Sequence, residues 1–167
     1  MNPLGKMAAA KPKTRRRSSK DQELEDAYLF FNEIGIIAQL SSNQFQRALP
    51  HGLNQSQFSV LNWFVRVDVE ATPGRLATAF QVTRGAMTNT LGKLRAKGLI
   101  QIEPDPDSGR RKIVRLTAAG RRARDDAVTA SYPLLAQFIA QFDKRRTDAA
   151  MPLLQEIRAY LDKRREI

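Results

Sequence analysis

The chain of 167 residues contains no cysteine, one histidine and one tryptophan. Without thiols it has no disulfide, none of the usual structural zinc sites and no thiol redox chemistry. The single histidine, His51, has no acid or nucleophile patterned around it in the sequence, and no glycine-rich phosphate loop is present. Catalysis is therefore not expected, nor is a bound metal or other cofactor. No apolar run approaches the roughly 20 residues that cross a bilayer, so a soluble chain without a membrane partner is expected. A secretory signal is not indicated either, because no apolar stretch of about 7–15 residues follows the basic start; composition leaves a transit peptide open. Acids, too, are scarce: 17 Asp+Glu stand against 28 Lys+Arg, a net charge of +11.

That excess is unevenly placed. Residues 1–20 hold seven cations and no acid, and residues 72–117 hold nine cations against three acids, which leaves the rest of the chain slightly acidic. Clustered positive charge of this kind is the electrostatic footprint of a phosphate-binding surface. The run Lys11-Pro12-Lys13-Thr14-Arg15-Arg16-Arg17 has too few apolar neighbours to fold. It reads as a disordered basic arm that follows DNA phosphates, or equally as an inert tail.

Residues 72–117 carry the most information. Thr72-Pro73 is a helix start, with threonine as cap and proline at the first helical position. Leu76, Ala77 and Phe80 line one face, the helix stops near Gln81, and Val82 is expected as a buried turn residue. Thr83 then caps a second helix to about Lys97, with Gly98 as its left-handed stop. Met87, Leu91 and Leu94 recur at helical spacing and must face a core. Arg84, Gly85, Thr88, Asn89 and Lys93 fall on the other side. Small, polar and cationic groups there suit a helix entering the major groove, although an ordinary solvated face has the same composition.

Two short strands are expected next, Leu99 to Ile102 and Lys112 to Leu116. Between them, Glu103 to Arg111 reads as a turn-rich hairpin tip that presents Arg110 and Arg111. An arginine held there can enter a narrow minor groove, where the negative potential is enhanced. The fold class expected is mainly α with a small β-hairpin wing.

RLATAFQVTRGAMTNTLGKLRAKGLI followed by DPDSGRRKIVRLTAAG resembles the winged helix-turn-helix of the multiple-antibiotic-resistance regulator (MarR) family. The resemblance runs from about residue 24 to the C-terminus and is sharp over 72–120, closing on Leu116-Thr117-Ala118-Ala119-Gly120. It implies that Arg110 stands for the family's wing-tip arginine. Where the family has an aspartate two residues earlier, this chain has Ser108, so Asp107 is expected to brace the arginine instead. The lack of cysteine also excludes the peroxide switch of some relatives.

Outside the winged unit, residues 22–48 read as one long helix with a broad apolar surface, and Asn54 opens another, with Gln57 completing a capping box. Thr117 is expected to open a helix reaching about Phe142, and Thr147 a last one to about Lys163. Their apolar residues exceed what one small domain can cover, which argues for a symmetric dimer. The MarR resemblance implies the same, with N- and C-terminal helices forming the dimer. The domains expected are a basic arm (1–20), an N-terminal dimerisation helix and linker (21–53), the winged helix-turn-helix (54–117) and C-terminal dimerisation helices (118–167).

The expected function is a cytoplasmic, nucleoid-associated homodimer that regulates transcription, as a repressor bound to a pseudo-palindromic operator in double-stranded DNA. Its reading helices would lie about 34–36 Å apart. Thr83, Arg84, Gly85, Thr88, Asn89, Lys93, Arg110 and Arg111 are the candidate DNA contacts. The resemblance further implies release by a small aromatic or anionic effector, for which Phe30, Phe31, His51, Trp63 and Phe64 are the candidate walls. An architectural DNA binder without ligand control and a winged-helix scaffold for a protein partner remain as alternatives.

Overall fold

The computed structural model describes residues 18–164; the basic arm expected over 1–20 falls almost wholly outside them. The chain divides after Leu40 into two units. The first consists of the greater part of helix α1 (Ser19–Ala48), on which no residue is buried.

The second unit holds the core. Helix α2 (Gln55–Arg66) starts at Asn54 with the expected capping box: Gln57 N–H donates to Asn54 Oδ1 at 2.9 Å, and Asn54 N–H donates to Gln57 Oε1 at 3.2 Å. Strand β1 (Glu70–Ala71) leads into α3 (Pro73–Ala79), capped by Thr72 Oγ1, which accepts from Arg75 N–H at 3.1 Å. Helix α4 (Arg84–Ala96) is capped in the same way by Thr83, on the N–H of Ala86. Strands β2 (Ile100–Asp105) and β3 (Ser108–Leu116) follow, then α5 (Ala118–Ala130), α6 (Tyr132–Gln141) and α7 (Lys144–Asp162). Phe64, Leu61, Leu76, Leu91, Leu94, Ile100 and Val114 form the fully buried centre, drawn from α2, α3, α4 and the sheet.

Several expectations need correction. The sheet has three antiparallel strands in the order β1-β3-β2, not two. The added strand pairs Glu70 with Arg115 and Ala71 with Val114; two residues are too few to show alternation in sequence. The single helix expected from Thr117 to Phe142 is broken at Ser131. There Pro133 lacks the N–H that would continue the ladder, while Ser131 turns its N–H and hydroxyl back onto Val128 O. The last helix starts earlier than Thr147, because Asp143 accepts from Arg145 N–H at 2.8 Å and caps it.

Val82 is not buried but 42% exposed. Backbone geometry holds the turn between α3 and α4 instead. Gln81 takes φ 52°, Val82 N–H donates to Ala77 O and Gln81 N–H to Thr78 O. This is the double bond pattern that glycine usually closes. The same pattern ends α4, with Gly98 at φ 70° and Leu99 N–H donating to Leu94 O.

Gly120 lies where α5 passes the start of β2. A Cβ built there would fall 2.0 Å from Leu99 O, so only hydrogen fits. Thr117 secures the crossing: its Oγ1 donates to Gly98 O and accepts from Gly120 N–H, and its own N–H donates to Leu99 O.

Candidate nucleic-acid interface

Helix α4 has two opposed faces. Met87, Leu91 and Leu94 are buried, with Leu94 fully inaccessible. At 100° per residue, Gly85, Thr88, Asn89 and Gly92 fall on the far side, and all four are exposed, as are Thr83, Arg84 and Lys93. Around Gly85 and Gly92 an added Cβ would meet nothing within 4 Å. Thr88 turns its hydroxyl hydrogen onto Arg84 O at 2.8 Å, which leaves its oxygen lone pairs outward. The result is a low-relief ridge with amide and hydroxyl groups along it and cations at both ends. Gly92 belongs to that ridge and was not among the candidates from sequence; its spacing of seven from Gly85 is the signal that marks it.

The wing differs from the nine-residue tip expected. Both strands run further, and only Pro106 and Asp107 form the turn. The register steps from Pro104↔Lys112 to Asp105↔Ser108, so Gly109, Arg110 and Arg111 bulge from β3 without opposite partners. Pro104, which has no N–H to give the ladder, sits at that step. Both arginines are exposed. Arg111 Nε lies 3.3 Å from Oδ2 of Asp105, a carboxylate only 9% exposed whose Oδ1 also accepts from Asp107 N–H. The bracing acid is therefore Asp105 rather than Asp107, and it holds Arg111. Arg110 makes no ion pair among the described residues.

The base of the wing is tied by charge. Arg115 donates to Glu70 at 2.9 Å and to Glu103 at 2.9 Å, which joins all three strands, and the hydrogen bond to Glu70 raises the guanidinium further above its ordinary range. Arg75 of α3 donates to Asp68, and this bond holds the Asp68 carboxyl below the usual aspartate value. The same guanidinium lies 5.1 Å over the ring of Trp63.

Within the second unit, His51 does not share a pocket with Trp63 and Phe64. Phe64 is 2% exposed, in the core, with Trp63 edge-on to it at 5.4 Å. Phe30 and Phe31 are exposed on α1, their rings edge to face at 5.9 Å. His51 lines a cleft of about 460 Å³ with Lys97, Leu99, Arg122 and Asp126, in which neither Trp63 nor Phe64 takes part. Its acidic partner Asp126, 75 residues along the chain, was not visible from sequence. No described helix is long and apolar enough to cross a membrane.

A short helix, a tight turn, a second helix with a bare polar ridge and a bulged basic hairpin together define a winged helix-turn-helix protein. Residues 51–111 match the family model described as MarR family. Among solved structures, the transcriptional regulator BldR from Sulfolobus solfataricus is 24% identical, with a TM-score of 0.69 over 88% of this chain and 99% of its own. Apo wild-type MarR from E. coli is 23% identical, with a TM-score of 0.67 over 75% of this chain and 94% of its own. A mutant MarR from E. coli complexed with operator DNA is 24% identical, with a TM-score of 0.61 over 76% and 96%. No curated protein matches the chain.

Proposed function

We propose that the chain is a homodimeric, sequence-specific DNA-binding transcriptional regulator, a repressor that a small aromatic or anionic ligand releases from a pseudo-palindromic operator. The observation that carries the DNA reading is the pair of opposed faces on α4: its apolar side is spent in the core, and its polar ridge is left bare. The operator complex of a protein with this fold supports it. Arg84, Gly85, Thr88 and Asn89 approach base edges, Thr83 and Lys93 meet phosphates, and Arg110 or Arg111 reaches a minor groove.

Dimerisation is supported by three helices, α1, α6 and α7, on which no described residue is fully buried. Their exposed side chains include Leu24, Phe31, Leu40, Phe138, Ile139, Leu153 and Leu161. Apolar surface on this scale marks an association interface. Release by a ligand requires that the ligand favour a conformation whose half-site spacing does not fit DNA. DNA as the partner supports a cytoplasmic, nucleoid-associated location.

Selecting bound fragments from the source genome, then comparing the selected duplex with random duplex at physiological salt, tests this reading. A regulator is expected to show a ratio of at least about 10³. A ratio near one identifies an architectural binder instead. Activity that survives replacement of both Arg84 and Arg110 by alanine identifies a protein scaffold.

A further inference from the structure

The loop between α1 and α2 meets the end of the helix that carries the polar ridge. His51 and Gly52, consecutive in that loop, both take φ 58°. Left-handed backbone is strained for histidine, so it persists only where neighbours hold it. Lys97, the C-cap residue of α4, does so: its Nζ donates to His51 O at 2.9 Å and to Gly52 O at 2.8 Å. One ammonium thereby satisfies two carbonyls that the left-handed turn brings together.

Other bonds fix the same loop to the elements on either side. Gln46, in the last turn of α1, donates from Nε2 to Leu53 O at 3.3 Å and accepts at Oε1 from Gln55 N–H at 2.7 Å. His51 Nε2 pairs with Asp126 of α5 at 2.7 Å. All of these residues belong to the second unit. The last turn of α1, the start of α2, the end of α4 and α5 thus converge on one short loop.

We propose that Lys97 is a positioning residue for DNA recognition. It touches no DNA itself; through the His51–Gly52 turn it fixes how the ridge of α4 is carried by the helices of the dimer. At 100° per residue Lys97 stands about 120° from Gly85, off the ridge. Without its ammonium the two carbonyls lose their common donor, and His51 relieves strain by leaving the left-handed region. The loop then loosens and the separation of the two ridges in a dimer becomes variable. One base pair moves a half-site by about 3.4 Å, so a dimer with firmly held ridges discriminates between spacings and a loosened one does not. The proposal rests on the dimeric DNA-binding reading above.

The test compares full-length parent, Lys97→Met, Lys97→Arg and Gly52→Ala on operator duplexes of matched spacing and of spacing one base pair shorter or longer. The parent is expected to lose about tenfold or more on either altered duplex. Lys97 is exposed, so the fold is expected to survive its replacement. Lys97→Met is expected to bind the matched duplex about fivefold more weakly and to lose about threefold or less on the altered ones. Its slope of log Kd against log salt is expected to match the parent's, because no phosphate contact is removed. Lys97→Arg keeps the charge and can donate to both carbonyls, and is expected to restore discrimination. Gly52→Ala keeps every charge but sets a Cβ 3.3 Å from Lys97 Nζ on left-handed backbone; it is expected to act like Lys97→Met, and carries the test should that variant not fold. Since the chain has no cysteine, a spin label on Arg95→Cys reads the separation of the two α4 helices without DNA. A narrow distribution is expected in the parent background and a broader one with Lys97→Met. Spacing discrimination or a label distribution in Lys97→Met equal to the parent's overturns the proposal, as does a salt slope reduced by about 0.9, the mark of a lost phosphate contact. A dimeric parent that binds DNA without preference for spacing overturns it too. A parent that is monomeric, or that ignores every duplex, overturns instead the reading on which it rests.

Discussion

His51 Nε2 lies 2.7 Å from Asp126 Oδ2, joining the loop before α2 to α5 across 75 residues of chain. The loop is held from a second side by Lys97 at the end of α4, whose Nζ donates to His51 O at 2.9 Å and to Gly52 O at 2.8 Å. His51 and Gly52 both take φ 58°, so the carbonyls that Lys97 meets come from two consecutive left-handed residues. The His51 and Asp126 side chains are each about half exposed, so solvent screens their attraction. A double-mutant cycle of His51→Ala and Asp126→Ala, read by urea unfolding, is expected to return a coupling of about 0.2–1 kcal/mol. A coupling well above that range would contradict an exposed pair.

Arg110 and Arg111 are adjacent yet differently placed. Arg110 is exposed and makes no ion pair among the described residues, so Arg110→Ala is expected to leave Tm unchanged and to weaken operator binding by about 1–3 kcal/mol. Arg111→Ala also frees the nearly buried Asp105, and it is expected to lower stability as well as binding. Thermal unfolding beside fluorescence anisotropy on an operator duplex separates the two; unaltered affinity in Arg110→Ala removes the wing from the interface.

Two glycines on helices should respond in opposite ways to alanine. Gly92→Ala places its methyl in open space on the ridge and is expected to stabilise the fold by about 0.5–1 kcal/mol through helix propensity, while weakening DNA binding by crowding the groove. Gly120→Ala drives a Cβ into Leu99 O and is expected to cost about 3 kcal/mol or more, since backbone must move. Urea midpoints decide both, and a Gly92→Ala protein that binds DNA like the parent argues against close approach there.

Thr83→Ala removes the oxygen that accepts from Ala86 N–H. It is expected to cost about 1 kcal/mol of stability by baring the first turn of α4. Thr83→Ser keeps that oxygen and is expected to restore most of the loss in the same unfolding measurement.

Asp68 provides a test against pH. Its carboxyl is held below its ordinary value of 3.8 by the hydrogen bond from Arg75. A depressed value in the folded state means that the bond stabilises the fold fully above about pH 4, and that this contribution fades as pH falls through the lower folded value. The stability gap between the parent and Asp68→Asn is therefore expected to be flat from pH 7 to about 5 and to close in stronger acid. A gap that widens on acidification would reverse the assignment.

What could be read from the sequence was local. Thr72, Thr83, Asn54 and Thr117 cap helices through bonds that reach three residues ahead, and Met87, Leu91 and Leu94 repeat at the helical period; short-range geometry of this kind is written in residue order. The polar ridge followed from the same periodicity, since the side of α4 that is not core must face outward. Whatever depends on residues distant in the chain was settled by folding. The pairing of Glu70 with Arg115, the bond from His51 to Asp126, the bulge that leaves Arg110 and Arg111 unopposed, and the space denied to any side chain at Gly120 each need two or more segments to meet. A linear order of residues specifies how each segment coils, and only the packing of those segments decides which side chains become neighbours.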